Sequence, residues 1–181
     1  HDYLLFFTSQ GRLFRLRAFE VPQASMTAKG TAAVNLLNMH PDEKVTAVIK
    51  QGENPEGYLF MVTKKGTIKK TAVKEYLNVR ANGLIAIKLD AGDELRGIQE
   101  TTGDQEIIIS TSAGQATRFS EKDVRSMGRS ARGVRGMRLR PKDEIVGMDI
   151  VRDKDQKLLV IAANGFGKVT PVEGIAAHSR G

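Results

Sequence analysis

Leu59-Phe60-Met61-Val62-Thr63-Lys64-Lys65-Gly66-Thr67-Ile68-Lys69-Lys70-Thr71 is an unbroken apolar run that enters a short polar turn and returns as a more polar segment. A run this short and this uniformly apolar reads as a β-strand covered on both faces, not as a helix. Gly66 supplies the positive φ that a tight hairpin needs, at little steric cost. The same unit stands at residues 4–7 before Gly11, 107–109 before Gly114 and 158–161 before Gly165, with return strands at 12–16, 115–119 and 166–170. The turn glycines are 55, 48 and 51 residues apart. Repetition on that scale marks one supersecondary unit copied around an axis or along a stack, so function belongs to the assembled surface more than to one pocket.

Outward from the hairpin, a second glycine closes the next loop at Gly30, Gly83, Gly133 and Gly181. Apolar residues follow at Val34 and Leu36, Ile87 and Leu89, Met137 and Leu139, a spacing of two that predicts a third strand with one buried face. A fourth strand begins at Val45, Leu95 and Ile145, and polar linkers of varying length follow it. Four strands per copy predict an all-β, propeller-like array of four-stranded blades. A solenoid is the competing architecture, but solenoid repeats are usually shorter or helical, and no sustained 3.6-residue apolar stripe is present. The boundaries expected are one partial domain over 1–181, with repeats at about 1–56, 57–105, 106–156 and 157–181, the last incomplete. His1 in place of an initiator Met, running straight into a strand pattern, reads as an excerpt from something longer.

The chain has no Cys, which excludes disulfides and thiolate metal sites and fits a reducing compartment, the cytoplasm by default. No apolar stretch approaches the 18 residues of a membrane span, so a soluble protein is expected. The formal charge of +7 points to a polyanionic partner, and its distribution says more. Basic residues gather between the turn glycine and the third strand: Arg12, Arg15, Arg17 and Lys29; then Lys64, Lys65, Lys69, Lys70, Lys74, Arg80 and Lys88; then a run from Arg118 to Lys142 opposed by only Glu121 and Asp123. Acids gather around the fourth strand and its exit, among them Asp42, Glu43, Glu53, Asp90, Asp93, Glu94, Asp143 and Glu144. Any single Lys or Arg is more simply a solvated side chain, but charge in step with the repeat predicts a positive blade edge that joins into a belt. Such a belt suits duplex DNA, whose phosphates give a steep salt dependence and little sequence preference. Few aromatic residues and no Trp argue against single-strand stacking.

Candidates for chemistry are weak. Gly165-Phe166-Gly167-Lys168 lacks the Ser or Thr and the first Gly of a phosphate loop, since Val169 and Ala162 stand in those places. His1, His40 and His178 fall in different repeat phases, so no metal or acid–base cluster is expected. Tyr3, Tyr58 and Tyr76 adjoin apolar anchors and read as packing, while Asp90, Asp93 and Glu94 lie at a turn where Asp serves the backbone.

Residues 3–12, Gly66-Thr-Ile-Lys-Lys-Thr71, Met127-Gly-Arg-Ser-Ala-Arg-Gly-Val-Arg-Gly-Met-Arg-Leu139 and Asn164-Gly-Phe-Gly-Lys168 together resemble the C-terminal domain of DNA gyrase A, and the resemblance spans essentially the whole chain. It implies a six-bladed, hairpin-invaded β-pinwheel, about three and a half repeats of which are written here. Its basic perimeter wraps duplex DNA and presents a positive crossing to the ATP-driven strand-passage core, biasing the enzyme towards negative supercoiling. Carried onto this chain, the DNA-binding positions are Arg12, Arg15, Lys69, Lys70, Arg118, Arg129, Arg132, Arg135 and Lys168. The resemblance further implies the rest of DNA gyrase A, together with DNA gyrase B, as partners, with no membrane, and a bacterial, nucleoid-associated location. The catalytic tyrosine, ATP and Mg lie in other parts of that enzyme, and no cofactor is expected here. The signature loop Gln-Arg-Arg-Gly-Gly-Lys-Gly is not present, so that loop does not separate gyrase from the related topoisomerase IV protein; the regular basic phase favours gyrase. Two further expectations are that reversing the charge of Lys69, Lys70, Arg132 and Arg135 weakens DNA binding with the fold intact, and that an incomplete ring self-associates or is marginally stable through open sheet edges. A protein-interaction propeller is the rival function, to be told apart by salt-insensitive binding.

Overall fold

The apolar runs that open each repeat form β1 (Tyr3–Thr8), β4 (Tyr58–Thr63), β8 (Glu106–Thr111) and β12 (Lys157–Ile161) in a computed structural model that describes residues 2–52 and 55–180. His1, Glu53 and Gly181 lie outside the described residues. The return strands are β2 (Arg12–Arg17), β5 (Thr67–Ala72), β9 (Ala116–Ser120) and β13 (Gly167–Pro171). The fourth-strand positions become β3 (Val45–Gln51), β7 (Leu95–Thr101) and β11 (Ile145–Val151). A short 3-10 turn follows each return strand, at Ala18–Glu20, Val73–Tyr76, Glu121–Asp123 and Val172–Gly174. Among the described residues there is no α-helix, and the fold is an all-β, propeller-like set of antiparallel sheets.

Alternation along the central strands explains the continuous apolar runs. Leu59 and Met61 of β4 pack with Leu5, Phe7 and Leu13 of the first repeat, while Phe60 and Val62 pack with Ile107, Ile109 and Phe119 of the third. The central strand β4 therefore serves two cores, one on each face. Tyr76 lies in the first core, edge-on to Phe7 with ring centroids 6.4 Å apart, the packing role its sequence context suggests.

The third strand differs from expectation. It is only two residues long, β6 (Leu84–Ile85) and β10 (Val134–Arg135), and it begins directly after Gly83 and Gly133. Moreover, it pairs with the preceding repeat: β6 joins β2, and β10 joins β5. The first two sheets thus run β3-β1-β2-β6 and β10-β5-β4-β7, whereas the later sheets have three and two strands. In the first repeat the corresponding stretch holds a 3-10 turn, Ala33–Asn35, and no strand. The two-residue spacing of Ile87 and Leu89 has another cause: this extended segment docks on the hairpin of its neighbour. The Ala86 and Ile87 amides donate to Gly11 O at 2.8 and 3.2 Å, and the Gly136 and Met137 amides donate to Gly66 O at 2.9 and 3.4 Å. A Cβ on Gly66, besides straining its φ of 85°, would lie 2.8 Å from Met137 O, so the turn glycine also makes room for the neighbouring repeat.

Gly133 is the most constrained point of this exchange. Its φ is 106° and a Cβ there would overlap Ile68 O. Gly133→Ala is expected to lower unfolding stability by about 3 kcal/mol, whereas Gly128→Ala, with nothing near its Cβ, stays within about 0.5 kcal/mol. Urea midpoints of the two variants check this; equal midpoints would remove Gly133 from its role.

Candidate nucleic-acid interface

Basic residues four places after the turn glycine, Arg15, Lys70 and Arg118, keep step with the repeat; the side chains of the first two tie one repeat to the next, whereas that of Arg118 pairs within its own repeat. The Arg15 guanidinium lies 4.4 Å from the Tyr3 ring centroid and donates to Leu77 O of the second repeat. Lys70 Nζ lies 5.1 Å from the Tyr58 centroid and donates to Glu121 O of the third repeat at 2.8 Å. Arg118 pairs with Glu106 at 3.6 Å, while its carbonyl accepts from the His178 amide of the fourth repeat at 2.8 Å. Tyr3, Tyr58 and Glu106 occupy the same repeat position, so the cation keeps its neighbour in the first three copies; the fourth has Val169 and Lys157 in those places.

Arg12 is also engaged. Its guanidinium donates to the buried Glu43 carboxylate at 2.9 Å and to Asn82 O at 2.7 Å. Glu43 belongs to a set of acids spaced fifty residues apart, with Asp93 and Asp143, each placed just before the fourth strand. Asp93 Oδ1 accepts from the Lys65 and Glu94 amides, both at 2.9 Å, and Asp143 Oδ1 accepts from Ser112 Oγ at 2.8 Å and from the Ala113 amide at 2.9 Å. Burial opposes ionisation of Asp143, but hydrogen bonds from Ser112 and the Ala113 and Glu144 amides hold its carboxyl below the usual range. These acids serve turns, as the sequence context of Asp93 indicates.

Lys69 and Lys70 are buried, not on the rim. Lys69 Nζ donates to Ala86 O at 2.9 Å and to Arg129 O, and burial, aided by the nearby Arg129 charge and opposed by Glu75, lowers its pKa to about 8. Tyr76 shares the Ala86 carbonyl, donating from 3.0 Å, and its burial raises the phenol to about 12. Beside Lys70 the fully buried Glu121 carboxylate accepts from Thr101 Oγ1 at 2.8 Å, the Gly103 amide at 3.0 Å and the Gln105 amide at 2.9 Å. Charge reversal at Lys69 or Lys70 therefore places a carboxylate against main-chain carbonyls, which conflicts with an intact fold.

The exposed members of the candidate set are Arg129, Arg132, Arg135 and Lys168. Three of them ride on the segment of the third repeat that crosses to the second. Arg129 meets Arg15 of the first repeat and Lys74 and Arg80 of the second in one groove of about 750 Å³, with Glu75 the acid on its wall. Cations from three successive repeats thus line a single concavity. The arrangement recurs one repeat on, where Arg135 and Arg180 border a second concavity with Asp123 in the place of Glu75. Arg180 donates from Nε to Asp123 O at 2.9 Å and from Nη1 to Arg135 O at 3.3 Å. Arg132 is paired with Asp90 at 2.9 Å, both side chains being well exposed, and Lys168 sits on β13 opposite Val160, lining neither concavity.

Lys74, Arg80 and Arg180 are absent from the candidate set carried over from the resemblance. Lys74 and Arg80 are legible as part of the basic run of the second copy, but nothing in the spacing shows that this stretch leaves its own repeat. Among the described residues no group of three or more His, Cys, Asp or Glu side chains could hold a metal, and no helix is long and apolar enough to cross a membrane.

The family model described as DNA gyrase C-terminal domain, beta-propeller, matches residues 2–51, 57–101, 105–152 and 156–181. The chain belongs to the DNA gyrase C-terminal domain family. As a gyrase C-terminal domain it is 42% identical over 186 residues to the DNA gyrase A protein of Haloquadratum walsbyi, a match covering 99% of this chain and 22% of that protein. The chain thus spans about a fifth of the length of the curated relatives it matches. Among solved structures, the C-terminal domain of DNA topoisomerase IV superposes with a TM-score of 0.92 at 29% identity, covering 99% of this chain and 56% of that one. A DNA gyrase A C-terminal domain superposes with a TM-score of 0.82 at 27% identity, covering 100% and 58%. In this gyrase-type domain the β6 and β10 exchanges add a strand from each repeat to the sheet of the one before, and the basic segments that make them are the ones that line its grooves.

Proposed function

We propose that this domain binds and wraps duplex DNA along its basic grooves without reading base sequence, as the wrapping domain of an ATP-dependent type II topoisomerase that introduces negative supercoils. The observation that carries the reading is the groove lined by Arg15, Lys74, Arg80 and Arg129, contributed by three successive repeats. Cations distributed over several repeats follow a phosphate backbone along a curved path, whereas a single cluster marks one point of attachment. Strand passage and ATP hydrolysis belong to other parts of that enzyme, the remainder of DNA gyrase A and the whole of DNA gyrase B, with which residues 1–181 would act as one domain on chromosomal DNA. A topoisomerase IV role is the second reading, favoured by the higher structural similarity to that enzyme's domain.

Binding of a mixed-sequence duplex is expected to weaken steeply with salt, with a log–log slope of about −4 or steeper if four or more phosphates are neutralised at about 0.9 each. Ligating nicked circular DNA in the presence of the domain is expected to trap a change in linking number. Salt-independent binding would support a protein partner instead, and salt-dependent binding with no trapped linking change would favour the topoisomerase IV reading.

A further inference from the structure

Lys69 stands three residues after the turn glycine, where the other copies have Phe14, Thr117 and Lys168. Phe14 is buried at that position, so an apolar side chain fills it without difficulty. A buried ammonium is a costly substitute, and the cost is set against what it holds: Ala86 O, in the crossing segment of the second repeat, and Arg129 O, in that of the third. Before Arg129, the Met127 amide is bonded to Lys70 O at 2.8 Å, and after it the chain joins β5 again as β10 at Val134. Between those anchors, among the described residues, the Lys69 bond is the one hydrogen bond tying the main chain of 128–132 to the second repeat. The Arg129 side chain remains exposed and lines the groove with Arg15, Lys74 and Arg80.

We propose that Lys69 is a positioning residue for DNA binding: it never meets the duplex, but its ammonium pins the Arg129 main chain so that the guanidinium is held in the groove. The proposal rests on the groove being the DNA-binding face. Arg129 and Glu75 are the charged groups nearest the latch, one on the pinned segment and one on the groove wall. An apolar residue can fill the position but cannot replace the latch, because the acceptors are two carbonyls on segments that β5 does not otherwise join at that point.

The test uses the 181-residue chain and a mixed-sequence duplex in a double-mutant cycle. Lys69→Met, which keeps the volume and loses the donors, is expected to bind about fivefold more weakly at 0.15 M salt, as is Arg129→Ala, each at the level of one lost phosphate contact. The double variant is expected to be no weaker than either single one, whereas Lys69→Met combined with Lys74→Gln, a groove cation outside the pinned segment, loses the product, about 25-fold. A purely structural role gives the product in both combinations. Unchanged affinity in Lys69→Met, or multiplicative loss with Arg129→Ala, overturns the proposal. If Lys69→Met does not melt cooperatively, Lys69→Gln replaces it in the cycle. Backbone 15N relaxation decides without any variant: order parameters near 0.85 across 128–132 in the unaltered chain support the latch, and values below about 0.6 overturn it. Failure of the wrapping reading is seen separately, as loss of steep salt dependence in the unaltered chain while those order parameters stay high.

Discussion

Neutralising Lys74, Arg80, Arg129 and Arg135 together to Gln is expected to weaken duplex binding about a thousandfold at 0.15 M salt and to flatten the log–log salt slope by about 3.6. The magnitude follows from counterion release: one neutralised phosphate at a slope of about 0.9 contributes roughly fivefold at 0.15 M relative to 1 M, and four such contacts multiply. These side chains are chosen because they are exposed, border the two concavities and, among the described residues, make none of the ion pairs that hold the fold. Stability should be almost unaffected, since surface substitutions away from such features stay within about 0.5 kcal/mol. Arg15 is left in place because its guanidinium is committed to Tyr3 and Leu77. Anisotropy titrations of a labelled duplex at several salt concentrations read both quantities. An undiminished affinity in the folded quadruple variant would remove these grooves from the interface, whatever the rest of the surface does.

The largest stability loss is expected at Glu121. Its carboxylate is fully buried, accepts three hydrogen bonds from the 101–105 loop and lies 3.9 Å from the buried Lys70 ammonium. Glu121→Ala leaves Thr101, Gly103 and Gln105 without their acceptor and Lys70 without its counter-charge, a loss of about 3–5 kcal/mol. The contrast is Glu106→Ala, which removes a partly exposed partner of Arg118 at 3.6 Å and should cost no more than about 1 kcal/mol. Urea titrations with unchanged slope compare the two directly. If Glu121→Ala unfolds at the same midpoint as Glu106→Ala, the buried network does not hold the second and third repeats together. Lys70→Met added to Glu121→Leu should recover much of the loss, because it removes the stranded charge as well.

Much of the architecture is legible because hairpins are local. The apolar run, the turn glycine and the return strand lie within about a dozen residues, and the fourth strand recurs at Val45, Leu95 and Ile145, as the structure has it. The third strand escapes such a reading because its partner is in another copy: the alternation at Ile87 and Leu89 reflects docking on a neighbouring hairpin, while pairing falls at Leu84 and Ile85. The charges mislead in a similar way. Strict phase suggests a rim, yet contacts repeated between copies also keep strict phase: the Arg15 and Lys70 side chains make such a contact with the next repeat, while that of Arg118 pairs within its own. Groove cations such as Lys74, Arg80 and Arg129 keep looser step, because solvent tolerates a shift of a residue or two. Glu121 stands out as one of two acids in a basic stretch, but its burial cannot be read from a repeat in which Ala18, Val73 and Val172 hold its place elsewhere.

Lending a strand backwards has a consequence for how the chain matures. As residues leave the ribosome in order, the sheet begun by β1 and β2 stays unfinished until β6 has been made, and the one begun by β4 and β5 waits for β10. Each of these copies is therefore completed by its successor, and assembly proceeds like links being closed one after another. Deleting an internal copy would then damage two units at once, so gain or loss of length in this lineage is most easily accommodated where no later copy depends on what is changed.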